Sequence, residues 1–144
     1  MKKTPLIVSG HAFVGEDLAL VPADIIIEDG IVSAIEESAR VPPVWICPAF
    51  FNAHTHIGDT IAMDCGITGD LVTMVTPPDG LKHRLLANTS HQDLVRGMRS
   101  SIEGMIAGGI AGCADFREGG SGCVFALREA ASGLLFRPFI FGRD

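Results

Sequence analysis

The last two thirds of the chain constrain the fold most, because apolar strand-like runs alternate there with helical segments. The clearest predicted helix covers residues 90–109, SHQDLVRGMRSSIEGMIAGG. Ser90 is a good N-cap, and Asp93 occupies the N3 position of a near match to a capping box. Two glycines end the pattern. Its apolar residues repeat at the spacing of one buried helical face: Leu94, Val95, Met98, Ile102, Met105 and Ile106.

The segments around this helix predict a parallel α/β arrangement. Residues 44–56 predict one strand, because the apolar run of residues 44–51 leads straight into the histidines, and an unbroken apolar run is typical of a strand buried on both faces. Residues 57–89 predict a long loop with at most a short helix near residues 81–86. After the helix, three further segments follow in the order strand, helix, strand: residues 110–116, 123–133 and 134–144. Strands that alternate with helices in this way indicate a parallel sheet.

The first 46 residues predict an antiparallel piece instead. The stretch LIVSGHAFV has a β-rich composition, and ADIIIEDGIVSAIEE places Asp29-Gly30 between two apolar runs. Because Asp-Gly in this setting is a strong hairpin signal, we expect a strand, a loop and a hairpin centred on residues 28–30. So small a sheet needs something to pack against.

Composition and charge argue against several classes of partner. The chain has 144 residues, 47% of them hydrophobic, and a formal net charge of −6 with no Lys/Arg cluster. These features argue against nucleic acid and against an anionic membrane surface as partners.

The apolar stretch in MKKTPLIVSGHAFVGEDL is too short for a signal peptide, and no run is long enough to span a bilayer. We therefore expect a cytoplasmic protein. Its four cysteines lack C-x-x-C spacing, and without a signal peptide we expect them to be reduced thiols.

Two histidines follow the apolar run in CPAFFNAHTHIGDT, residues 47–60. Since alternate strand residues share a face, His54 and His56 should point to one side and Thr55 to the other. Two imidazoles on one face can share a cation such as zinc, although a catalytic site needs a further protein ligand and an open position for water. The spacing by itself is equally compatible with ordinary histidine hydrogen bonds. The position, at the end of a predicted parallel strand before a long loop, favours the metal site.

Three acidic residues are candidates for contacts with a substrate or with a ligating histidine: Asp59, Asp115 and Glu118. Asp59 follows the histidine pair by three positions, and capping of a turn is the alternative role for it. Asp115 and Glu118 flank Phe116 at the end of the second predicted parallel strand, where a contact that orients a ligand is plausible. A solvated loop with a helix-capping role is the alternative for this pair.

The stretch CPAFFNAHTHIGDT, preceded by ADIIIEDGIVSAIEE, resembles the start of an amidohydrolase-superfamily enzyme of the cytosine deaminase and chlorohydrolase-like branch. The later stretch GMIAGGIAGCADFREGG is similar to that family's first helix and second strand, with Ile110 and Ala111 where threonines are common. The resemblance implies an α/β fold in which residues 47–144 form the first two to three β/α units of a (β/α)8 TIM barrel. Residues 1–46 would form part of a small β-sandwich before it.

The resemblance also implies that His54 and His56 bind a divalent metal, zinc or iron. It implies a metal-dependent, deaminase-like hydrolase that acts on a non-peptide C–N bond of a small molecule through metal-activated water. The family's remaining ligands come from later barrel strands, so we expect the N-terminal portion of a longer enzyme, inactive alone. A complementing C-terminal part or a homo-oligomer would be its partner. A non-catalytic binding or assembly module that keeps the opening of the fold is the alternative.

Overall fold

The computed structural model describes residues 4–65 and 69–142, and the chain divides into two compact units, of which the first ends at Pro48 and the second begins at Ala49. The N-terminal residues 1–3, residues 66–68 of the predicted loop and residues 143–144 of the last predicted strand lie outside the described part. The architecture is mixed α/β, as predicted, with one sheet in each unit. The assignment of residues 1–46 to a β-sandwich and of residues 47–144 to a barrel stays a prediction.

The N-terminal unit is built on a four-stranded sheet in the order β3-β2-β1-β4. Its strands are β1 (Leu6–Val14), β2 (Ala19–Glu28), β3 (Ile31–Glu37) and β4 (Trp45–Ile46). The first three pair antiparallel in sequence order, as predicted, whereas the short β4 runs parallel to β1. Asp29 and Gly30 form the turn between β2 and β3, with φ of 50° and 82°. Positive φ at both positions is what a two-residue turn of type I′ requires, which explains the Asp-Gly signal.

The prediction of a single strand over residues 44–56 is wrong, because the structure has two short strands there in two different sheets. Residues Trp45–Ile46 pair with β1, and a separate strand, β5 (Phe50–Thr55), begins after Pro48. Proline has no backbone N–H to donate to a strand ladder, so the apolar run is interrupted at that point.

The C-terminal unit alternates strands and helices around a three-stranded parallel sheet in the order β5-β6-β7. After β5 come a 3-10 helix (Ile57–Ala62), α1 (Leu71–Val75), α2 (Leu81–Asn88), α3 (His91–Ala107), β6 (Ile110–Arg117), α4 (Gly120–Ala131) and β7 (Arg137–Gly142). The predicted parallel arrangement is therefore confirmed from β5 onward. No helix within the described ranges is long and apolar enough to cross a lipid bilayer.

Helices α3 and α4 pack against each other and against the sheet, and the core lies between them. Fully buried side chains of this core include Met98, Ile102 and Leu127. The prediction of a strand buried on both faces is wrong for the described chain, since Phe50 is 63% exposed and Phe51 is 49% exposed. The reason is that β5 lies at the edge of the sheet, so that neither of these consecutive phenylalanines, which point to opposite faces, is covered as in a central strand.

Residues 57–89 contain more regular structure than the predicted loop. The 3-10 helix follows β5 closely, and α1 begins after Asp70, whose carboxylate accepts a hydrogen bond from the backbone N–H of Thr73 at 2.8 Å. That hydrogen bond lowers the pKa of the Asp70 carboxyl below its usual value. Helix α2 includes the predicted short helix and extends it to Asn88. These helices bury few residues, so little apolar periodicity marks them in the sequence.

The predicted helix over residues 90–109 is confirmed as α3. The Ser90 hydroxyl oxygen accepts a hydrogen bond from the backbone N–H of Asp93 at 3.2 Å, which satisfies one of the free donors of the first turn. Gly109 lies just beyond the other end with a φ of 80°. Three residues of the predicted apolar face are buried: Leu94, Met98 and Ile102.

We expect Ser90→Ala to lower the free energy of unfolding by about 1 kcal/mol, because it removes the side-chain acceptor at the start of α3. Urea unfolding followed by circular dichroism measures the change. Ser100→Ala is the matched control, since Ser100 is an exposed serine in the middle of the same helix, where alanine is favoured. An equal loss of stability in both variants would contradict the capping role.

Candidate functional site

The candidate site begins at the C-terminal end of β5, where His54 and His56 project to the same side. Their Nε2 atoms lie 3.2 Å apart, and their ring centroids lie 5.2 Å apart. Thr55 between them points to the other face, where its hydroxyl donates to the carboxylate of Asp115. The two imidazoles therefore share a face, as strand alternation predicts.

The distance between the two Nε2 atoms suits joint binding of one ion. Two nitrogen ligands that each lie about 2.0–2.1 Å from a tetrahedral zinc ion stand about 3.3 Å apart. The observed 3.2 Å equally suits a hydrogen bond from a protonated ring nitrogen to an unprotonated one. Both rings are partly open to solvent, so an ion in solution can reach the pair.

Aromatic rings line the face on which the histidines stand. The His54 and Phe116 ring centroids lie 4.5 Å apart, with a tilt of 33°. Phe116 in turn stacks on Phe141 at 5.1 Å, and Phe51 meets Phe139 edge-on at 5.7 Å. The histidine pair thus borders an aromatic surface, which suits the apolar face of a small molecule.

The carboxylate of Asp115 ties the end of β5 to β6. Its side chain is fully buried, and Oδ2 accepts hydrogen bonds from the Thr55 hydroxyl at 2.9 Å and from the backbone N–H of Ile57 at 2.7 Å. These two donors precede and follow His56 in the chain. The carboxylate therefore fixes the backbone on both sides of this candidate ligand.

A second buried charge, Arg117, lies on the same face of β6 as Asp115. Its Nη1 atom is 3.4 Å from Asp115 Oδ1, and its Nη2 atom is 3.4 Å from Glu118 Oε2 and 3.8 Å from Asp59 Oδ1. The Arg117 side chain is fully buried, with 0% of its surface exposed. An uncompensated charge in such a position is strongly destabilising, so these carboxylates are required to balance it.

Glu118 connects these charges to the histidine pair. Its Oε1 atom lies 3.5 Å from Nδ1 of His56 and 3.1 Å from Nζ of Lys82. Burial raises the pKa of the Glu118 carboxyl, but the hydrogen bond and charge of Lys82 outweigh burial and bring the pKa below its ordinary value. Glu118 is therefore a carboxylate at neutral pH and lies close to the His56 ring, but Nδ1 of His56 has no hydrogen-bond partner among the described residues.

Asp59 lies in the first turn of the 3-10 helix and contacts cations rather than a histidine. Its Oδ2 atom is 2.9 Å from Nζ of Lys82, so it joins the 3-10 helix to α2. Lys82 thus bridges two of the three acidic residues. We call the five charged residues at this end of the sheet the ionic cluster: Asp59, Lys82, Asp115, Arg117 and Glu118.

The structure brings all the predicted site residues into one region, while their roles as ligands or substrate contacts stay predictions: His54, His56, Asp59, Asp115 and Glu118. The strand predicted over residues 110–116 stops short of Arg117, whereas in the structure Arg117 is the last residue of β6. Its position two residues after Asp115 on one strand is a usable signal for a shared face. Nothing in the sequence near Lys82 links it to β6.

Within residues 4–65 and 69–142, no group of three His, Cys, Asp or Glu side chains is arranged to hold a metal ion. The two facing imidazoles are thus a pair of ligands that requires further ones for a complete catalytic site.

Comparison with known proteins identifies the family. The sequence profile of the amidohydrolase family matches residues 45–144. The chain belongs to the amidohydrolase family. A relative from Methanothermobacter thermautotrophicus is named "Putative aminohydrolase". It is 39% identical over an alignment 144 residues long, which covers 94% of this chain and 37% of that protein. Another of the same name, from Archaeoglobus fulgidus, is 37% identical over 98 residues, which cover 67% of this chain and 28% of that protein.

Solved structures share the fold of this amidohydrolase-family chain. Atrazine chlorohydrolase from Arthrobacter aurescens, complexed with zinc, matches with a TM-score of 0.64 and 19% identity, over 91% of this chain and 33% of that one. N-isopropylammelide isopropylaminohydrolase from Burkholderia multivorans matches with a TM-score of 0.63 and 17% identity, over 96% and 37%. The chain spans about a third of the length of the relatives and solved structures that it matches.

We expect Thr55→Val to lower the free energy of unfolding by about 1–3 kcal/mol, because it removes a donor from the buried Asp115 carboxylate while it keeps the shape of the side chain. Thr76→Val, at an exposed position after α1, is the control and should change stability by less than about 0.5 kcal/mol. Chemical denaturation of both variants beside the wild type measures the difference. Equal stability of the two variants would show that the Thr55 hydroxyl does not anchor the site.

Proposed function

We propose that this chain carries the start of the catalytic domain of a metal-dependent hydrolase that cleaves a non-peptide C–N bond in a small molecule. Membership of the amidohydrolase family supports a hydrolase, and the aminohydrolase name of two relatives supports a C–N bond as the target. The observation that carries the metal part of the proposal is the 3.2 Å between the Nε2 atoms of His54 and His56.

The residues of the site have distinct roles in this proposal. His54 and His56 would hold a divalent ion, either zinc or iron, since imidazole nitrogen suits both. The bound ion would supply an activated water and polarise the bond that is cleaved. The chain itself positions these ligands: Asp115 fixes the backbone around His56, and Glu118 lies behind its ring.

The substrate class that fits best is a planar nitrogen compound, such as an aminated heterocycle, a cyclic amidine or an amide. Phe116 and Phe141 offer stacked rings beside His54, on which a flat molecule could rest with its edge near the ion. The names of two proteins with the same fold, which specify atrazine and N-isopropylammelide, support a substrate of this class.

A complete site requires ligands beyond the two imidazoles, because catalytic zinc is held by three protein ligands and a water. In this proposal the parallel sheet is the opening of a (β/α)8 barrel, and the N-terminal unit is part of a β-sandwich. The missing ligands would come from a further segment, a complementing C-terminal part or a second copy of the chain. The relative from Methanothermobacter thermautotrophicus, of which this chain covers 37%, supports a larger catalytic unit.

A non-catalytic binding or assembly module is the second candidate. It is favoured by the limited set of ligands in the described ranges, where no three metal-binding side chains converge. The two candidates differ in one measurable property, because a module of this kind needs no ion at the histidine pair.

We expect the wild-type chain to bind Zn²⁺ weakly at one site. Loss of a residue that only contacts a metal ligand typically lowers affinity by roughly 10–100-fold. His54→Ala and His56→Ala should each weaken Zn²⁺ binding by more than this, since each removes a direct ligand. Isothermal titration measures these affinities. His91→Ala is the control, because His91 is exposed and pairs with Glu129 at 2.8 Å instead. Equal affinity in the wild type and in His54→Ala would favour the non-catalytic module.

We also expect the 144-residue chain alone to show no turnover, because two imidazoles leave an ion short of a catalytic ligand set. Ammonia release from aminated heterocycles, cyclic amidines and amides, measured with Zn²⁺ supplied and with a chelator as the control, tests this. Metal-dependent release by the chain alone would show that the described residues are a sufficient site and would contradict the need for further ligands.

A further inference from the structure

Arg117 is the largest fully buried side chain of the described residues, and it packs against Gly58 in the 3-10 helix. A Cβ atom at Gly58 would overlap the guanidinium and would lie 2.6 Å from Nη2. The close approach of the 3-10 helix to Arg117 therefore requires a glycine. Because Gly58 follows His56 by two residues, the guanidinium limits how near this part of the chain can come to β6.

The guanidinium faces three carboxylates, and each of them meets a different part of the segment that contains the histidine pair. The Asp115 carboxylate binds the backbone N–H of Ile57, and Glu118 faces Nδ1 of His56. Asp59 lies on the 3-10 helix itself. The contacts of Arg117 with these carboxylates measure 3.4–3.8 Å, so the guanidinium acts on them mainly through its charge and its volume.

We propose that Arg117 is a positioning residue that sets the direction of the His56 ring through these carboxylates. Without its charge, three carboxylates would share a small space with Lys82 alone, and their mutual repulsion would drive Glu118 and Asp59 towards solvent. The Nδ1 side of His56 would then lose its neighbour. The consequence for metal affinity rests on the proposed function, whereas the consequence for the ring direction does not.

A purely structural role explains Arg117 less well. Buried ion pairs add little net stability when their hydrogen bonds are poor, and apolar side chains of similar volume often stabilise such positions at least as well. Nε and Nη1 of Arg117 have no hydrogen-bond acceptor among the described residues. The charge of Arg117 is therefore better explained by the carboxylates that it holds in place.

The test first displaces the guanidinium while its charge is kept. Gly58→Ala should push Arg117 aside, because the new methyl group occupies its space. Gly104→Ala is the matched control, since Gly104 lies within α3, where an added Cβ meets no atom within 4 Å. Both substitutions add the same methyl group, so a difference between them reports the overlap with Arg117.

A second pair of variants changes the arginine itself. Arg117→Lys keeps one positive charge but loses the planar fork that reaches several carboxylates at once. Arg99→Lys is the control for a structural arginine, because Arg99 donates to the backbone oxygens of Ala130 and Ser132 at 3.2 Å and 3.1 Å, outside the site.

Two readouts on the full chain separate positioning from stability. In the metal-free protein, Gly58→Ala and Arg117→Lys should shift the ring-nitrogen resonances of His56, assigned with His56→Gln, and leave those of His91 unchanged. Arg99→Lys should lower the Tm without any shift at His56. In titrations with Co²⁺ followed by visible absorption, the first two variants should bind about 10-fold or more weakly than the wild type.

Each outcome decides the proposal. Unchanged His56 resonances in folded Gly58→Ala and Arg117→Lys proteins would overturn it, whatever their affinity for Co²⁺. If the wild type binds no Co²⁺, the proposed function fails, and the metal-free spectra still decide the role of Arg117. Loss of folding in both variants would make Arg117 a structural residue and would also overturn the proposal.

Discussion

The hydrogen bonds to the buried carboxylate of Asp115 are the contacts on which the site depends. A carboxylate loses its hydration on burial, and only donors and positive charge in the protein can offset that loss. Here the Thr55 hydroxyl, the Ile57 backbone N–H and the Arg117 guanidinium face it. The Thr55 hydroxyl and the Ile57 N–H lie on either side of His56 in the chain. Both can reach the carboxylate only when the backbone of residues 55–57 has the conformation seen here, so burial of the charge fixes that conformation.

This anchoring on one face determines what the other face presents. Strand alternation sends Thr55 towards α3 and α4, and it therefore sends the neighbouring imidazoles of His54 and His56 to the open, aromatic face. The same rule operates on β6, where Asp115 and its strand neighbour Phe116 point to opposite sides. The sheet thus separates the buried Asp115 carboxylate from the aromatic face, and Glu118, which lies 3.5 Å from Nδ1 of His56, connects the two sides.

The features that the sequence predicts well are those that a few neighbouring residues determine. The Asp29-Gly30 turn, the Ser90 cap and the shared face of the histidine pair all belong to this group. The features that it misses depend on contacts between distant segments. An apolar run does not reveal that Pro48 separates strands of two sheets, and neither local pattern nor composition shows that Lys82 reaches β6. The space that the Arg117 guanidinium occupies is left open by Gly58, which lies on another element.

The charge balance of the ionic cluster explains why acidic side chains so near the histidines form no third ligand. Three carboxylates and two cations leave the cluster with one net negative charge beside the histidine pair, and this charge favours positive charge nearby. The carboxylates themselves are engaged, because Lys82 holds Asp59 and Glu118 while Arg117 faces all three. For the proposed metal, the cluster would therefore supply attraction through its net charge and would leave direct coordination to His54 and His56.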